Sequence, residues 1–262
     1  MSGCGPGGSL GSMGTLQESP SAGAARTVVM VIGGSSGIGR GVAGAALRDG
    51  ADVVIVGRST ARLEQARGEL ASRSRLRTAA ADVSEEPQVR RLFDETGPLD
   101  HVVVTAADIP GYQPVRELNL ATARRIIDSN LVGALLVARY AVPRLRPGGS
   151  ITLTGGIAAE RPAPGGSVVA AVNGAVAALT RALALELAPI RVNALAPGWT
   201  DTPFWDAMAG PRKAAMLEGM AARLPVGRIG RPEDIGQAAL YAMRAGHLTG
   251  AVLPVDGGER LV

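Results

Sequence analysis

Residues 28–39 read VVMVIGGSSGIG, and this stretch decides the fold of the chain. An apolar, β-branched run ends in a glycine-rich turn, and a helical pattern (RGVAGAALRDG) follows directly. A strand that turns through glycines into a helix brings free backbone N–H groups and the positive end of the helix dipole to one place. The stretch therefore predicts a phosphate-binding turn before the first long helix.

Apolar runs alternate with helical patterns from Thr27 to the end of the chain. The predicted strands span residues 27–32, 52–57, 76–81, 100–105, 149–154, 189–195 and 250–254. The predicted helices span residues 37–49, 60–72, 86–95, 117–145, 165–187 and 232–243. Strands that are apolar on both faces and separated by helices form a parallel sheet covered on both sides. We therefore expect an α/β fold over residues 27–262: a single doubly wound (Rossmann) domain with a seven-stranded parallel sheet, whose ligands bind beyond the carboxyl ends of the strands.

Composition narrows the class of protein. The chain has 262 residues, of which 46% are hydrophobic and 3% aromatic, and its net charge is +4. The arginines are scattered along helices rather than clustered, so we expect no nucleic-acid partner. No apolar run approaches the roughly 18 residues that span a bilayer, so we expect no membrane segment. Cys4 has no partner for an internal disulfide, which favours a cytoplasmic location.

Two further stretches shape these expectations. Residues 1–26 are rich in Gly, Ser and Pro and cannot bury a core, so they are predicted to form a flexible tail. His101 begins a strand at the end of the sheet opposite to the ligands, and His247 is predicted to lie on the surface. Neither belongs to a metal-binding motif, so no metal site is expected.

The glycine spacing resembles that of a known family. Gly33-x-x-x-Gly37-Ile38-Gly39 is similar to the turn of the short-chain dehydrogenase/reductase family, and residues 248–258 (LTGAVLPVDGG) match its C-terminal signature. The resemblance covers nearly the whole chain and implies an oxidoreductase that binds a nicotinamide dinucleotide. It also implies a substrate lid at about residues 199–225. A homodimer or homotetramer packed through the helix VVAAVNGAVAALTRALALEL is implied as well.

The second predicted strand indicates which dinucleotide binds. An NAD site would place an acidic residue at its end, to accept a hydrogen bond from the adenosine ribose. The chain instead has Gly57, which leaves room, and Arg58, whose guanidinium pairs with phosphate oxygens. Ser59 adds a hydroxyl donor. We therefore predict NADP(H), the alternative being that Arg58 is a solvated arginine at a helix entry.

The resemblance assigns the remaining cofactor contacts. Asp82-Val83 stands where the family contacts adenine, although Asp82 is also suited to capping the next helix. Val104-Thr105-Ala106-Ala107 replaces the family's usual Asn-Asn-Ala-Gly. The Pro197-Gly198 turn lines the nicotinamide pocket in the family, and Thr202 matches its carboxamide-binding threonine. The full predicted cofactor set is Gly33, Ser35, Ser36, Gly37, Ile38, Gly39, Arg58, Ser59, Asp82, Val83, Ala106, Pro197, Gly198 and Thr202.

The catalytic residues of the family are missing at the positions where they are expected. In the family a tyrosine supplies the proton, a lysine four residues later lowers the tyrosine pKa, and a serine holds the carbonyl. Alignment places Gly156 at the serine, Val169 at the tyrosine and Asn173 at the lysine, while Asn130 matches the family's asparagine. One positioned general acid contributes roughly 10²–10⁴ in rate, so the family's ordinary route is not expected.

Substitute proton donors are therefore sought on loops at the carboxyl ends of the strands. None of the chain's three tyrosines is followed by a lysine four residues on. The catalytic candidates are Asp108 and Tyr112, from the loop AADIPGYQP, together with Asn130 and Asn173. Their alternatives are a turn-forming aspartate, a tyrosine that packs on its own loop, a helix-kink asparagine and a polar residue left in an emptied site.

Three functions follow from this pattern. The first is an NADP(H)-dependent oxidoreductase acting on a small hydrophobic carbonyl, enone or imine with a non-standard proton donor. The second is a non-redox enzyme on the same scaffold, such as an isomerase, dehydratase or cyclase. The third is a non-catalytic NADP-binding protein. All three hold the nucleotide in the same cradle.

Overall fold

The computed structural model describes residues 26–70, 73–108 and 111–262, so nearly all of the predicted tail lies outside the described residues. The described chain forms one seven-stranded parallel sheet in the order β3-β2-β1-β4-β5-β6-β7, which confirms the predicted fold class. The strands are β1 (Val28–Ile32), β2 (Asp52–Gly57), β3 (Leu76–Ala80), β4 (Leu99–Val104), β5 (Leu145–Thr154), β6 (Arg191–Pro197) and β7 (Val252–Val255).

The centre of the sheet fixes where a ligand can bind. In β1, Met30 pairs with Val54 of β2 on one side and with Val102 of β4 on the other. The chain order therefore reverses between β1 and β4, which opens a crevice beyond the carboxyl ends of these strands. Met30 is fully buried, as are Ile55 and Val102, because each face of the sheet packs against a hydrophobic layer.

Helices cover both faces of the sheet. They are α1 (Gly37–Arg48), α2 (Thr60–Glu69), α3 (Glu86–Asp94), α4 (Leu120–Ile127), α5 (Gly133–Ala141), α6 (Ser167–Glu186), α7 (Pro203–Ala209), α8 (Lys213–Ala221) and α9 (Pro232–Arg244). Helices α1 and α9 pack on one face, where Val42 and Ile235 join the same core cluster. Helices α3, α5 and α6 pack on the other, where Phe93, Val137 and Val176 are buried together.

Three predicted elements differ from the structure by more than two residues at a boundary. The helix predicted over 60–72 ends at Glu69, because Leu70 adopts an extended conformation. The single helix predicted over 117–145 consists of α4 and α5 joined by a π-helical turn, Asp128–Val132. The strand predicted over 149–154 begins earlier, at Leu145, with a register irregularity against β4. Local insertions of this kind leave no mark in the apolar period from which boundaries are predicted.

Two helical stretches are apolar enough to require a correction. Leu120–Arg144 and Ser167–Glu186 satisfy the length and composition of a membrane span, although no such segment was expected from the sequence. Both stretches place part of their apolar surface against the sheet: Val137 and Ala141 of the first, and Val176 of the second, are buried in the same cluster. Helices that cover a sheet have this composition too, so the finding is weak support for a membrane role.

The segment after β6 carries the region predicted as a lid. It contains α7 and α8, and it begins with an aromatic group in which the rings of Trp199 and Trp205 stack with centroids 4.2 Å apart. Phe204 meets Trp205 edge-on at 4.8 Å. The indole N–H of Trp205 donates to the carbonyl of Thr200, which anchors this group beside the end of β6.

Candidate functional site

The glycine-rich turn forms a close-packed cradle between β1 and α1. Gly33 has a φ of +86°, and a Cβ added there would lie 2.6 Å from the backbone nitrogen of Ala106. A Cβ on Gly39 would lie 2.2 Å from the carbonyl oxygen of Gly33. The side-chain hydroxyl of Thr105 donates to the carbonyl of Ile32 and holds β4 against this turn. Only glycine fits at both positions, and the backbone that it leaves open faces the crevice.

Helix α1 presents its N-terminus at that cradle. Its N-cap residue, Ser36, makes no side-chain hydrogen bond to the first turn in the described structure, and the first turn holds no acidic residue. The first N–H groups of a helix have no partner within the helix, so they are available to an anion. This arrangement fits a phosphate group, since the helix dipole favours negative charge there.

A first cavity of about 690 Å³ extends from the cradle across the ends of β1, β2 and β3. We refer to it as the nucleotide cleft. Of the predicted cofactor residues, twelve line it: Gly33, Ser35, Ser36, Gly37, Ile38, Gly39, Arg58, Ser59, Asp82, Val83, Ala106 and Thr202. The other two, Pro197 and Gly198, line the adjoining cavity described below. The structure thus brings the whole predicted set to one continuous crevice.

Arg58 occupies the edge of the nucleotide cleft, and its guanidinium faces a carboxylate. Its Nη1 lies 3.3 Å from Oδ2 of Asp108, which is held on the loop after β4. The Arg58 side chain is 60% exposed, so this ion pair is easily exchanged for another anion such as a phosphate. The nearby Ser59 hydroxyl accepts from the backbone N–H of Arg62 and starts α2, which leaves its own proton free to donate.

Asp82 illustrates how a predicted contact residue is held. Its Oδ1 accepts from the N–H and from the hydroxyl of Ser84, at 3.0 and 2.7 Å. The N-cap of α3 is Glu85, so Asp82 stabilises the turn before the helix and does not cap the helix itself. The expected helix cap was therefore wrong. Asp82 also lines the nucleotide cleft, and its contact with adenine stays a prediction.

A second cavity of about 750 Å³ continues from the first past the ends of β5 and β6. We refer to it as the inner cavity. All four predicted catalytic residues line it: Asp108, Tyr112, Asn130 and Asn173. Its apolar wall includes Ile157, Val169 and the aromatic group of the lid region, Trp199, Phe204 and Trp205. The inner cavity therefore suits a hydrophobic molecule with a few polar atoms.

The three positions aligned with the family's serine, tyrosine and lysine lie together in this cavity. A Cβ on Gly156 would lie 2.7 Å from Nδ2 of Asn173, and Val169 stands one helical turn before Asn173 on α6. Asn173 is only 8% exposed and its amide makes no hydrogen bond within the described structure. The Thr154 hydroxyl is buried and lacks a partner as well. These polar groups are suited to bonding a ligand, because a buried polar group without a partner is costly.

Asn130 lies in the π-helical turn between α4 and α5. Its Nδ2 donates to the carbonyl of Ile126 at 2.9 Å and to the hydroxyl of Ser129 at 3.1 Å. The same Ser129 hydroxyl accepts from the N–H of Asp108. The amide is thus committed to the helix, as in the helix-kink alternative, and only its carbonyl oxygen is left for the inner cavity.

Tyr112, from the loop after β4, and Glu259, from the turn after β7, both line the inner cavity. The tyrosine packs beside the Gly165-Gly166 turn that precedes α6. Burial, with the charge of Glu259 as a second cause, raises the pKa of Tyr112. Burial also raises the pKa of Glu259, whose Oε2 accepts from the N–H of Trp199 at 3.2 Å. Tyr112 is therefore a protonated hydroxyl at neutral pH.

Glu259, Thr105 and Thr154 were missed by the sequence analysis. Glu259 directly follows the Asp-Gly-Gly turn after β7, and a charged residue at the carboxyl end of a strand was a usable signal. Thr105 was noted only as a departure from the family pattern, although it fixes the glycine turn. Thr154, at the end of a buried strand, gave no signal that distinguishes a ligand contact from a core threonine.

The two histidines lie outside both cavities. His101 is within β4, where its Nδ1 lies 2.9 Å from the hydroxyl of Ser150, and burial lowers its pKa to about 4. His247 is exposed after α9. That neither takes part in the chemistry of the site stays a prediction.

Comparison with known proteins places this geometry in a family. A family model described as "Enoyl-(Acyl carrier protein) reductase" matches residues 32–259. The short-chain dehydrogenase/reductase ATR9 of Stachybotrys chlorohalonatus is 38% identical, over 89% of this chain and 96% of its own length. The chain therefore belongs to the short-chain dehydrogenase/reductase family of NAD(P)-dependent oxidoreductases.

Two solved structures are similar to this one. A small-chain dehydrogenase in complex with NADPH has a TM-score of 0.76 and 34% identity, over 91% of this chain and all of its own. The MalC reductase/Diels-Alderase from Malbranchea aurantiaca has a TM-score of 0.84 and 31% identity, over 90% of this chain and 98% of its own. The family's nucleotide-binding fold and the NADPH complex of a similar chain support the prediction of NADP(H) as the cofactor.

Proposed function

We propose that this chain is an NADP(H)-dependent oxidoreductase that acts on a small hydrophobic carbonyl, enone or imine and uses a non-standard proton donor. The observation that carries the proposal is the continuity of the two cavities. Ser35, Ser36 and Thr202 line both the nucleotide cleft and the inner cavity, so a dinucleotide and an apolar substrate would meet at these residues.

The cradle, the cleft and Arg58 would hold the cofactor. The phosphates would lie at the N-terminus of α1, and Arg58 would release Asp108 to pair with the adenosine 2′-phosphate. Pro197 and Gly198 would border the nicotinamide at the entrance to the inner cavity. When bound, NADPH supplies the hydride of the reaction.

We also propose that the family's ordinary proton transfer is absent. Tyr140 donates its hydroxyl proton to Glu86 on the surface, and Tyr241 is 59% exposed on α9. Lys213 pairs with Asp201 and Asp206 outside the inner cavity. Among the described tyrosines, only Tyr112 lines the inner cavity, and its raised pKa is the opposite of what the family's lysine achieves.

A substrate that needs no proton from the enzyme fits a site without the family's proton donor. An iminium ion gains a hydride without a proton, whereas a ketone needs a proton donor to its developing alkoxide. Tyr112 can donate that proton as a neutral hydroxyl, and the unpartnered amide of Asn173 can hold the substrate's polar atom. Asp108 is less suited, because its carboxylate pairs with Arg58.

Oxidation of NADPH with a panel of ketones, enones and iminium salts tests the proposal. We expect turnover with iminium salts and enones, and ketone reduction that falls by at least about 10²-fold in Tyr112→Phe. Iminium reduction should be unchanged in that variant. Tyr241→Phe, which removes an exposed hydroxyl from α9, is the matched control. No turnover with any acceptor, by protein that binds NADPH, would refute the redox proposal.

A non-redox reaction is the second candidate. The similar chain from Malbranchea aurantiaca is described as both a reductase and a Diels-Alderase, so a cyclisation is compatible with a relative of this fold. The small residues Gly156 and Val169 leave the inner cavity open for such a substrate. Conversion of a substrate with no change in NADPH absorbance would favour this candidate. Tight NADPH binding without any conversion would favour a non-catalytic NADP-binding protein.

We further propose a cytoplasmic homodimer or homotetramer with no nucleic-acid or membrane partner. Its support is the exposed apolar surface of the long helices: Leu135 on α5 is 43% exposed and Leu185 on α6 is 85% exposed. Light scattering of the purified chain measures the assembly. Leu185→Glu should weaken an assembly packed through α6, whereas Val226→Glu, at an exposed site off that helix, should not.

A further inference from the structure

The inner cavity places the carboxylate of Glu259 beside an aromatic wall. Glu259 lines the cavity beside Trp199, and the N–H of that same tryptophan donates to its Oε2. Trp199 stacks on Trp205, and Phe204 packs edge-on against Trp205. The carboxylate and the aromatic wall are far apart in the sequence, because Glu259 follows β7 and the aromatic residues follow β6. The parallel pairing of β6 with β7 brings them together.

The turn after β7 holds Glu259 in this position. The carboxylate of Asp256 is almost fully buried and accepts from the N–H groups of Gly258 and Arg260, and from the Arg260 guanidinium. Gly257 and Gly258 have φ values of +62° and +87°, so the chain reverses within two residues. Glu259 follows this rigid turn directly, and its carboxylate lies so close to Gly198 that a Cβ there would come within 2.6 Å of Oε2.

Within the described structure, Glu259 forms no ion pair, and its hydrogen-bond donor is a neutral residue, Trp199. The other carboxylate that lines the inner cavity, Asp108, is already paired with Arg58. Arg40, Arg62 and Arg161 also line the inner cavity, and Arg161 lowers the pKa of Glu259. In the described structure none of these three arginines forms an ion pair with Glu259, and Arg40 is paired with Glu69. A half-buried carboxylate without a cation is incompletely neutralised, and a ligand cation would complete its pairing.

We propose that the inner cavity recognises a cationic nitrogen carried on an apolar molecule, with Glu259 as the counter-charge and the group Trp199, Phe204 and Trp205 as the aromatic wall. Cations are attracted both to carboxylates and to the faces of tryptophan rings, most strongly where water is excluded. The substrate class is thus an amine, ammonium or iminium compound. The inference rests on the proposed function only in taking the inner cavity as the substrate site.

A matched pair of probes tests the inference without turnover. Benzyltrimethylammonium carries the cation, and (2,2-dimethylpropyl)benzene is its neutral isostere. The chain's two tryptophans, Trp199 and Trp205, both line the inner cavity, so intrinsic fluorescence reports binding there. At about pH 8, well above the ordinary pKa of a glutamate, we expect the cation to bind at least about tenfold more tightly than the isostere.

Two variants separate the role of Glu259 from general electrostatics. Glu259→Gln keeps an acceptor for the Trp199 N–H, removes the charge, and should bring the two probes to within about threefold of each other. Glu160→Gln removes an exposed carboxylate that does not line the inner cavity, and should leave the preference unchanged. Circular dichroism melting of both variants checks that the fold is intact.

The outcomes are distinguishable from those of the proposed function. Equal affinity for the two probes, no fluorescence response to the cation, or an undiminished preference in Glu259→Gln would each overturn the inference. NADPH binding is measured separately by calorimetry. Failure to bind NADPH with the ammonium preference intact would count against the proposed function and would leave cation recognition standing.

Discussion

Introducing the family's catalytic residues is the most direct test of the proposal that residues 156, 169 and 173 lie at the reacting centre. The variant combines Gly156→Ser, Val169→Tyr and Asn173→Lys, at three positions that line the inner cavity. In Gly156→Ser alone, the new Cβ would lie 2.7 Å from Nδ2 of Asn173, so the Asn173 amide would have to shift. Replacing Asn173 in the same variant removes that amide, so the combined change is expected to be better tolerated than the single one.

The expected gain follows from what a positioned general acid supplies. We expect NADPH-dependent reduction of a simple aromatic ketone to rise by about 10²–10⁴-fold over the unmodified chain, a lowering of the barrier by about 3–5 kcal/mol. The cavity of about 750 Å³ has room for the ring that Val169→Tyr introduces, since Val169 is on its lining. NADPH absorbance at saturating ketone is the assay.

A control variant isolates the hydroxyl. Gly156→Ser, Val169→Phe and Asn173→Lys together differ from the test variant by one oxygen atom and should show no gain. Calorimetry with NADPH and thermal melting establish that both variants are folded and loaded. If the tyrosine variant is folded, binds NADPH and reduces ketone no faster than the phenylalanine control, the assignment of these three positions to the reacting centre is wrong.

Three further predictions concern the cofactor and the fold. Arg58→Ala should weaken NADPH binding about 10- to 100-fold in calorimetry, because one charge-assisted contact to a phosphate is lost. The affinity for NADH should be nearly unchanged, and an equal loss of affinity for both dinucleotides would contradict the phosphate role of Arg58. Gly33→Ala should lower the free energy of unfolding by at least about 1–3 kcal/mol in urea titrations. The reason is that Gly33 has a φ of +86° and that a Cβ there would lie 2.6 Å from the backbone nitrogen of Ala106. An unchanged free energy of unfolding would show that the turn is not rigid. Folding lowers the pKa of His101 from 6.5 to about 4, so on acidification the unfolded chain takes up a proton before the folded chain does. The free energy of unfolding should therefore be at its full value above about pH 6.5 and fall by about 2–3 kcal/mol on acidification to about pH 4. His101→Asn should flatten that part of the stability profile, and an unchanged slope in this variant would contradict the prediction.

The fold was predictable because its signals are local and repeated. The β-branched runs around Met30 and Val54 are buried on both faces, and only a parallel sheet with helices on both sides buries them in that way. The cradle was predictable for a related reason, since Gly33 and Gly39 occur at positions where a Cβ would meet backbone atoms. In both cases the residue type indicates its own environment: a β-branched residue indicates a buried strand, and a glycine indicates close approach of the backbone.

What could not be predicted depends on pairs of residues distant in the sequence. Arg58 and Asp108 are fifty positions apart, and their ion pair crosses the mouth of the nucleotide cleft. Trp199 and Glu259 are sixty positions apart, and their hydrogen bond exists only because β6 and β7 are neighbours. The π-helical turn around Asn130 is likewise set by packing rather than by the apolar period.

The three replaced positions form a physically consistent set. A lysine at position 173 would place a charge where the present side chain is only 8% exposed, and without a tyrosine at position 169 it would have no partner of the family's kind. An asparagine avoids that cost, and Gly156 makes room for its amide. The inner cavity therefore carries no charge on its α6 side, and its unpaired carboxylate, Glu259, stands beside the aromatic wall. We proposed above that the family's proton transfer is absent and that the substrate carries a positive charge. The uncharged α6 side and the unpaired carboxylate of Glu259 support the same substrate class, because an iminium ion accepts a hydride without a proton.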